Sequence, residues 1–214
     1  MITKTVSVKN TSPMILSTGQ GDASYIDNQM AFDEFGLPYF SGRRFKGLLR
    51  ESAEEVTGML RLSGIELGLP SIEEVFGSGF VEGACKFNNL YIQDYEQTKQ
   101  YLNWAEKNSE GLITRQSVMD ALSSVRQQTA VTEEGVSKEN SLRTIRVLNP
   151  GFEFSGEIDI HPKYYKTVPK LLMLAARNLR YAGLNRTRGF GRIDVKIGEE
   201  KENRKLISEV EKVV

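Results

Sequence analysis

The run Phe152-Glu153-Phe154-Ser155-Gly156-Glu157-Ile158-Asp159-Ile160 alternates apolar and polar residues along its length. A period of two places the apolar side chains on one face of a strand and the polar ones on the other. Such a strand belongs to an antiparallel sheet with one face on a core and one in water. Its neighbours must therefore supply one layer of cover. Val168 to Leu179 does so as an apolar helix carrying Leu171, Leu172, Leu174 and Ala175. Gly191 to Ile197 then reads as the last strand. Upstream, Ile2 to Val8 alternates as an opening strand, with Met14-Ile15-Leu16 expected to continue the sheet after a bulge. Ser41 is a plausible cap for a helix in which Phe45, Leu48, Leu49, Ala53 and Val56 share one face. Cys85 to Gln93 reads as a second strand.

Without its insertions the order is strand, helix, strand, strand, helix, strand. This is an α+β, ferredoxin-like (RRM-like) βαββαβ core. Residues 1–198 are expected to form one domain, with an insertion at about 94–146 that is helix-like from Gln97 to Leu122. Residues 199–214 are a charged C-terminal tail. The aromatic signature of the standard RNA-recognition motif is missing, and the fold plan alone does not give function.

Arginine clusters in Ala176-Arg177-Asn178-Leu179-Arg180-Tyr181-Ala182-Gly183-Leu184-Asn185-Arg186-Thr187-Arg188-Gly189-Phe190-Gly191-Arg192, which contains no acid. Crowded arginines need an anionic partner. Gly183, Gly189 and Gly191 allow positive φ and close backbone approach. Guanidinium forks and backbone N–H groups suit a phosphodiester chain, whereas the plainer alternative is a tight turn with a solvated basic rim. A second cationic group, Arg43, Arg44, Lys46 and Arg50, crowds the helix start after Ser41-Gly42. Cations there oppose the helix dipole, which points to a role other than stability. The alternative is a basic face paired with Glu51, Glu54 and Glu55. The two groups are expected to meet on one side of the domain.

Net formal charge is zero, so only clustering argues for an anionic partner. The single cysteine, Cys85, excludes an internal disulfide and a cysteine-based zinc cage. The single histidine, His161, precedes Pro162 and reads as a turn residue, which argues against a Ser/His/Asp arrangement. The N-terminus lacks the layout of a signal peptide, and no apolar run is long enough to cross a bilayer. A cytoplasmic protein is expected.

Gly36-Leu37-Pro38-Tyr39-Phe40-Ser41-Gly42-Arg43-Arg44-Phe45-Lys46-Gly47-Leu48-Leu49-Arg50 resembles a motif of the RAMP superfamily of CRISPR-associated proteins: Leu-Pro, Ser-Gly, then Lys-Gly and Arg. Arg188-Gly189-Phe190-Gly191-Arg192 resembles that family's C-terminal glycine-rich loop. Length and the Tyr25-Ile26-Asp27-Asn28 segment are most similar to the backbone subunit of type III effector complexes. The resemblance implies a prokaryotic subunit that stacks with copies of itself and other effector subunits along a crRNA. It would grip RNA through Arg43, Arg44, Lys46, Arg50, Arg143, Arg186, Arg188, Gly189 and Gly191. It also implies a thumb, from about Thr129 to Arg146, that kinks the guide–target duplex. Finally, it implies cleavage of complementary target RNA at Asp27, with a weakly held Mg²⁺ or other divalent cation. Asp22 and Asp33 lie close by in sequence. The chain departs from the family in having Phe-Ser-Gly-Arg-Arg in place of Pro-Gly-Ser-Ser. Two other readings compete: a guide-precursor endoribonuclease acting alone and a non-catalytic scaffold.

Overall fold

The computed structural model describes residues 1–16, 31–108, 111–130, 132, 135–136 and 140–212. In chain order its elements are β1 (Ile2–Asn10), β2 (Tyr39–Phe40), α1 (Gly42–Leu62), α2 (Ile72–Phe76), β3 (Cys85–Phe87) and β4 (Leu90–Ile92). There follow α3 (Tyr95–Asn108), α4 (Arg115–Leu122), β5 (Ser123–Gln128), β6 (Arg143–Leu148), β7 (Glu153–Ile160), α5 (Val168–Asn178), β8 (Ile193–Ile197) and α6 (Glu200–Glu211).

The main sheet runs β2-β4-β7-β1-β8, with β3 also on β7, and its pairs are antiparallel. Reduced to its core, this is the strand order of the ferredoxin-like plan, with β1 and β7 central. The fold is α+β. The period-two pattern is realised as expected: Phe154, Ile158 and Ile160 of β7 are buried with Val6 and Val8 of β1 and Val195 of β8. α1 contributes Phe45, Leu49 and Ala53, and α5 contributes Leu171, Leu172 and Ala175, to the same core. Burying one such side chain contributes on the order of 1.5–3 kcal/mol. The sheet therefore has one covered face and one open face.

Two strand expectations change. Cys85 to Gln93 forms two short strands because Asn88-Asn89 interrupts it. The Asn89 carboxamide oxygen accepts a 2.9 Å hydrogen bond from the Gly42 backbone N–H, so this break serves the start of α1. Met14 does not extend the main sheet. It bridges to Leu148 of β6, in a separate two-stranded β5–β6 sheet.

That small sheet has its own core, in which Ile15, Ile145, Val147 and Phe190 are buried together. At its base, the buried Arg146 donates to Asp120 at 2.7 Å and to the Ser123 hydroxyl at 2.9 Å. Arg146 is therefore a structural brace for the hairpin. α6 is docked: Lys4 pairs with Glu202, Lys170 with Glu209, and Leu206 is buried. His161 behaves as a turn residue, its Nδ1 accepting from the Lys163 N–H.

Candidate nucleic-acid interface

The arginine stretch divides in the structure. Arg177 and Arg180 line a recess with Lys196 between α5, β8 and α6. Arg186 and Arg188 lie on a short 3-10 turn, and Arg192 follows the glycines. All three of these side chains are exposed. Backbone geometry rather than side-chain bulk sets the turn: Asn185 and Gly189 are both left-handed, with φ 58° and 80°. Gly191 has no tolerance for a side chain, since a Cβ there would lie 1.9 Å from the Ala182 carbonyl oxygen. At Gly189 the space is open, so only its positive φ calls for glycine.

Three contacts fix this loop. Phe190 sits in the small core with Ile15, Ile145 and Val147. The Arg126 guanidinium of β5 lies 5.6 Å from the centre of the Phe190 ring. Asn185 donates to Gln128 at 3.4 Å. The β5–β6 hairpin and the glycine-rich loop are thus one assembly. Arg143 begins β6 opposite Gln128 and is exposed, so it adds a cation to the same hairpin. Sequence reasoning missed Arg126 and Gln128. Their role depends on pairing across the hairpin, which no local pattern carried.

The other cationic group lies on α1. Arg43 is exposed, and Arg44, Lys46 and Arg50 are half-buried. Arg50 donates to the Gly77 carbonyl at 3.1 Å and pairs with Glu54 at 2.9 Å. Lys46 lines a recess with Gly77 and Gly83 on the same flank. Beside it, burial pushes the Cys85 thiol up to about 12, against the opposing pull of the Lys46 charge. Cys85 is therefore a neutral thiol and no nucleophile at neutral pH.

The two groups meet through the helix rather than face to face. Arg186 reaches Glu51 of α1 at 3.5 Å. Glu51 follows Arg50 directly, so the two side chains leave the helix about 100° apart. Arg186 and its loop thus approach one flank, and Lys46 and Arg50 look to the other. Arg44 and Gly47 lie on the Glu51 side of the helix crest by their seven- and four-residue spacing. Gly47 has nothing within 4 Å of where its Cβ would be. The exposed Arg186–Glu51 pair is worth about 0–1 kcal/mol at most and is easily displaced. Among the described residues, no carboxylate pairs with Arg43, Arg44, Lys46, Arg188 or Arg192.

Asp27 and Asp22 lie outside the described residues. Asp33 is described, and it is fully engaged. One of its oxygens accepts from the Phe35 and Leu37 N–H groups at 2.9 and 2.8 Å, and the other from the Tyr95 hydroxyl at 2.9 Å. Burial, then that bond to Asp33, pushes the Tyr95 phenol up. Asp33 is thus a turn-forming carboxylate. Among the described residues, no three metal-ligating side chains come together.

The open face of the sheet offers the opposite chemistry. Glu153, Glu157 and Asp159 of β7 and Asp194 of β8 project there, against Lys9, Lys86 and Lys196, and no aromatic residue joins them on β7 or β8. At its β2–β4 edge the same face carries Tyr91, opposite Ser155, and Tyr39, opposite Tyr91, with the Tyr95 ring stacked 4.3 Å from that of Tyr91, so its aromatic residues stand apart from the acidic centre over β7 and β8.

The topology is that of a known class. The sequence matches the RAMP superfamily over residues 8–194, and the chain belongs to that superfamily. A search of curated proteins finds no match. Among solved structures, it is similar to a chain of the Type III-B Cmr-beta complex bound to cognate target RNA. That similarity has TM-score 0.65 and 11% identity, covering 96% of this chain and 99% of the other. A chain of the same complex in its apo state gives TM-score 0.64 and 12% identity, covering 93% and 98%. No helix among the described residues is long and apolar enough to cross a membrane.

Proposed function

We propose that this chain is a crRNA-binding backbone subunit of a type III CRISPR effector ribonucleoprotein. The observation that carries the proposal is the arginine loop. Three exposed arginines are held by a backbone that excludes side chains at Gly191 and by a hairpin that anchors Phe190. Guanidinium forks on a backbone fixed in this way suit a phosphodiester chain, because the loop itself loses little freedom on binding. Family membership and the cited Cmr-beta folds support the same reading.

In this account RNA lies along the crest of α1. Arg44, Gly47 and the Arg186–Arg192 loop contact it on one flank, and Arg43 and Lys46 on the other. Arg143 and Arg126 hold the strand where the hairpin projects. Partners are the guide, its complementary target RNA, further copies of this chain and other effector subunits.

Target cleavage is assigned to Asp27. A divalent ion held by its carboxylate would stabilise charge on the scissile phosphate. The protein's part is to hold the backbone in line for attack by the neighbouring 2′-OH. The three hydrogen bonds that tie Asp33 to its own turn support the choice of Asp27 over Asp33 in this proposal. The Asp27→Ala protein should assemble with guide RNA and bind target, yet lose cleavage measured with labelled target RNA. A variant that assembles and still cuts would contradict the assignment. RNA absent from the purified complex would contradict the binding reading itself.

A further inference from the structure

Phe80 is the most exposed large apolar side chain among the described residues, fully open to water at 101%. It lies in a loop from Gly77 to Gly83 whose neck is tightly built. A Cβ on Gly83 would meet the Gly77 nitrogen at 2.4 Å, and one on Gly77 would meet the Val81 carbonyl oxygen at 2.7 Å. The Ser78 N–H donates to the Val81 carbonyl at 2.9 Å, and Arg50 braces the loop through the Gly77 carbonyl. Exposing a phenyl ring on so fixed a support costs solvation and contributes no packing.

The same loop, through Ser78, Val81 and Glu82 beside Phe80, walls a recess of about 390 Å³ that is also lined by Arg43 and Lys46, with Glu82 the only acid. Lys86 lines it as well, but its place opposite Asp159 turns its side chain toward the open face of the sheet. Neither Arg43 nor Lys46 has a carboxylate partner among the described residues. An exposed ring on the rim of a recess with two unpaired cations matches the two chemical halves of a nucleotide.

We infer that Phe80 is a stacking platform for an unpaired base of bound RNA, whose adjoining phosphate sits in the Arg43–Lys46 recess. This rests on the RNA-binding reading above and extends it to the far flank of α1. A protein partner for Phe80 is the disfavoured alternative, because two unpaired cations stand in the adjoining recess.

The test uses the full chain and short single-stranded RNAs carrying 2-aminopurine at successive positions. Wild-type protein should quench fluorescence at a recurring position. Phe80→Ala should abolish that quenching and weaken binding about 5- to 100-fold, with the melting temperature unchanged. Phe80→Trp should restore both. If wild type binds RNA but Phe80→Ala matches it in quenching and affinity, the inference falls and the RNA-binding reading stands. If Phe80→Ala changes only self-association measured by sedimentation without RNA, the ring is a protein contact and the inference is again overturned. If wild type binds no RNA, both readings fall.

Discussion

The two faces of the central sheet carry opposite chemistry. The open face presents Glu153, Glu157, Asp159 and Asp194 over its centre, with Lys9, Lys86 and Lys196 among them and Tyr39 and Tyr91 at its β2–β4 edge. The helix layer presents Arg43, Arg44 and Lys46 on α1 and Arg186 beside Glu51, with Arg188 and Arg192 exposed on the adjoining loop; of these only Arg186 has an acidic partner among the described residues. A ferredoxin-like sheet can bind RNA on its open face when aromatic residues stack the bases. Here the centre of that face is acidic and its tyrosines stand at the β2–β4 edge, and the proposal gives the role to the helix layer instead. The same topology thus hosts a different site, and zero net charge conceals it.

The largest break in this comparison should come from the loop. Replacing Arg186, Arg188 and Arg192 together with alanine should lower RNA affinity at least tenfold at physiological salt. It should also reduce the salt slope by about 2–3. Arg177 and Arg180 belong to the same arginine run but line a different recess. Replacing both should change affinity much less. Filter binding across a salt series measures both variants, and equal losses would erase the distinction between loop and recess.

A smaller effect separates two glycines of α1. Gly47 and Gly58 both have open space around them. Replacing either with alanine should stabilise the helix by about 0.5–1 kcal/mol, seen as a higher denaturation midpoint. Only Gly47→Ala should weaken RNA binding, because its methyl group would stand where the phosphate backbone approaches. Loss of binding by Gly58→Ala as well would mean that helix flexibility, and not close approach, is the cause.

The smallest effect concerns α6. The hydrogen bond from Lys4 holds the Glu202 carboxyl below its ordinary 4.5, and the bond from Lys170 does the same for Glu209. Both contributions are complete above about pH 4.5 and are lost as acid takes the pH down through the lowered folded values. Solvent screens both pairs, so acidification should loosen α6 only slightly, as faster amide exchange in residues 200–211 with RNA binding retained.

Much of the core was legible because periodicity is local. The alternation of β7, the apolar stripe of α5 and the Phe45-Leu49-Ala53 face of α1 need no partner to be recognised. The two cationic groups were legible as clusters, but their relation was not. Helix α1 stands between them, and Glu51, which the sequence offered only as a pairing acid for the basic face of its own helix, forms the joint. The β5 strand, Ser123–Gln128, is polar and mostly exposed, so only its pairing with β6 reveals it. The small core of Ile15, Ile145, Val147 and Phe190 draws on three distant segments. Phe80 escaped notice because an aromatic residue between glycines looks like any turn residue until its exposure is known.

Cross-linking of the purified ribonucleoprotein, read by mass spectrometry of RNA-bound peptides, tests the central claim most directly. The account predicts adducts in the α1 start around Arg43 to Gly47 and in the loop from Arg186 to Arg192, within the same complex. Adducts confined to β1 and β7 on the open face, with none in α1 or the loop, would contradict it.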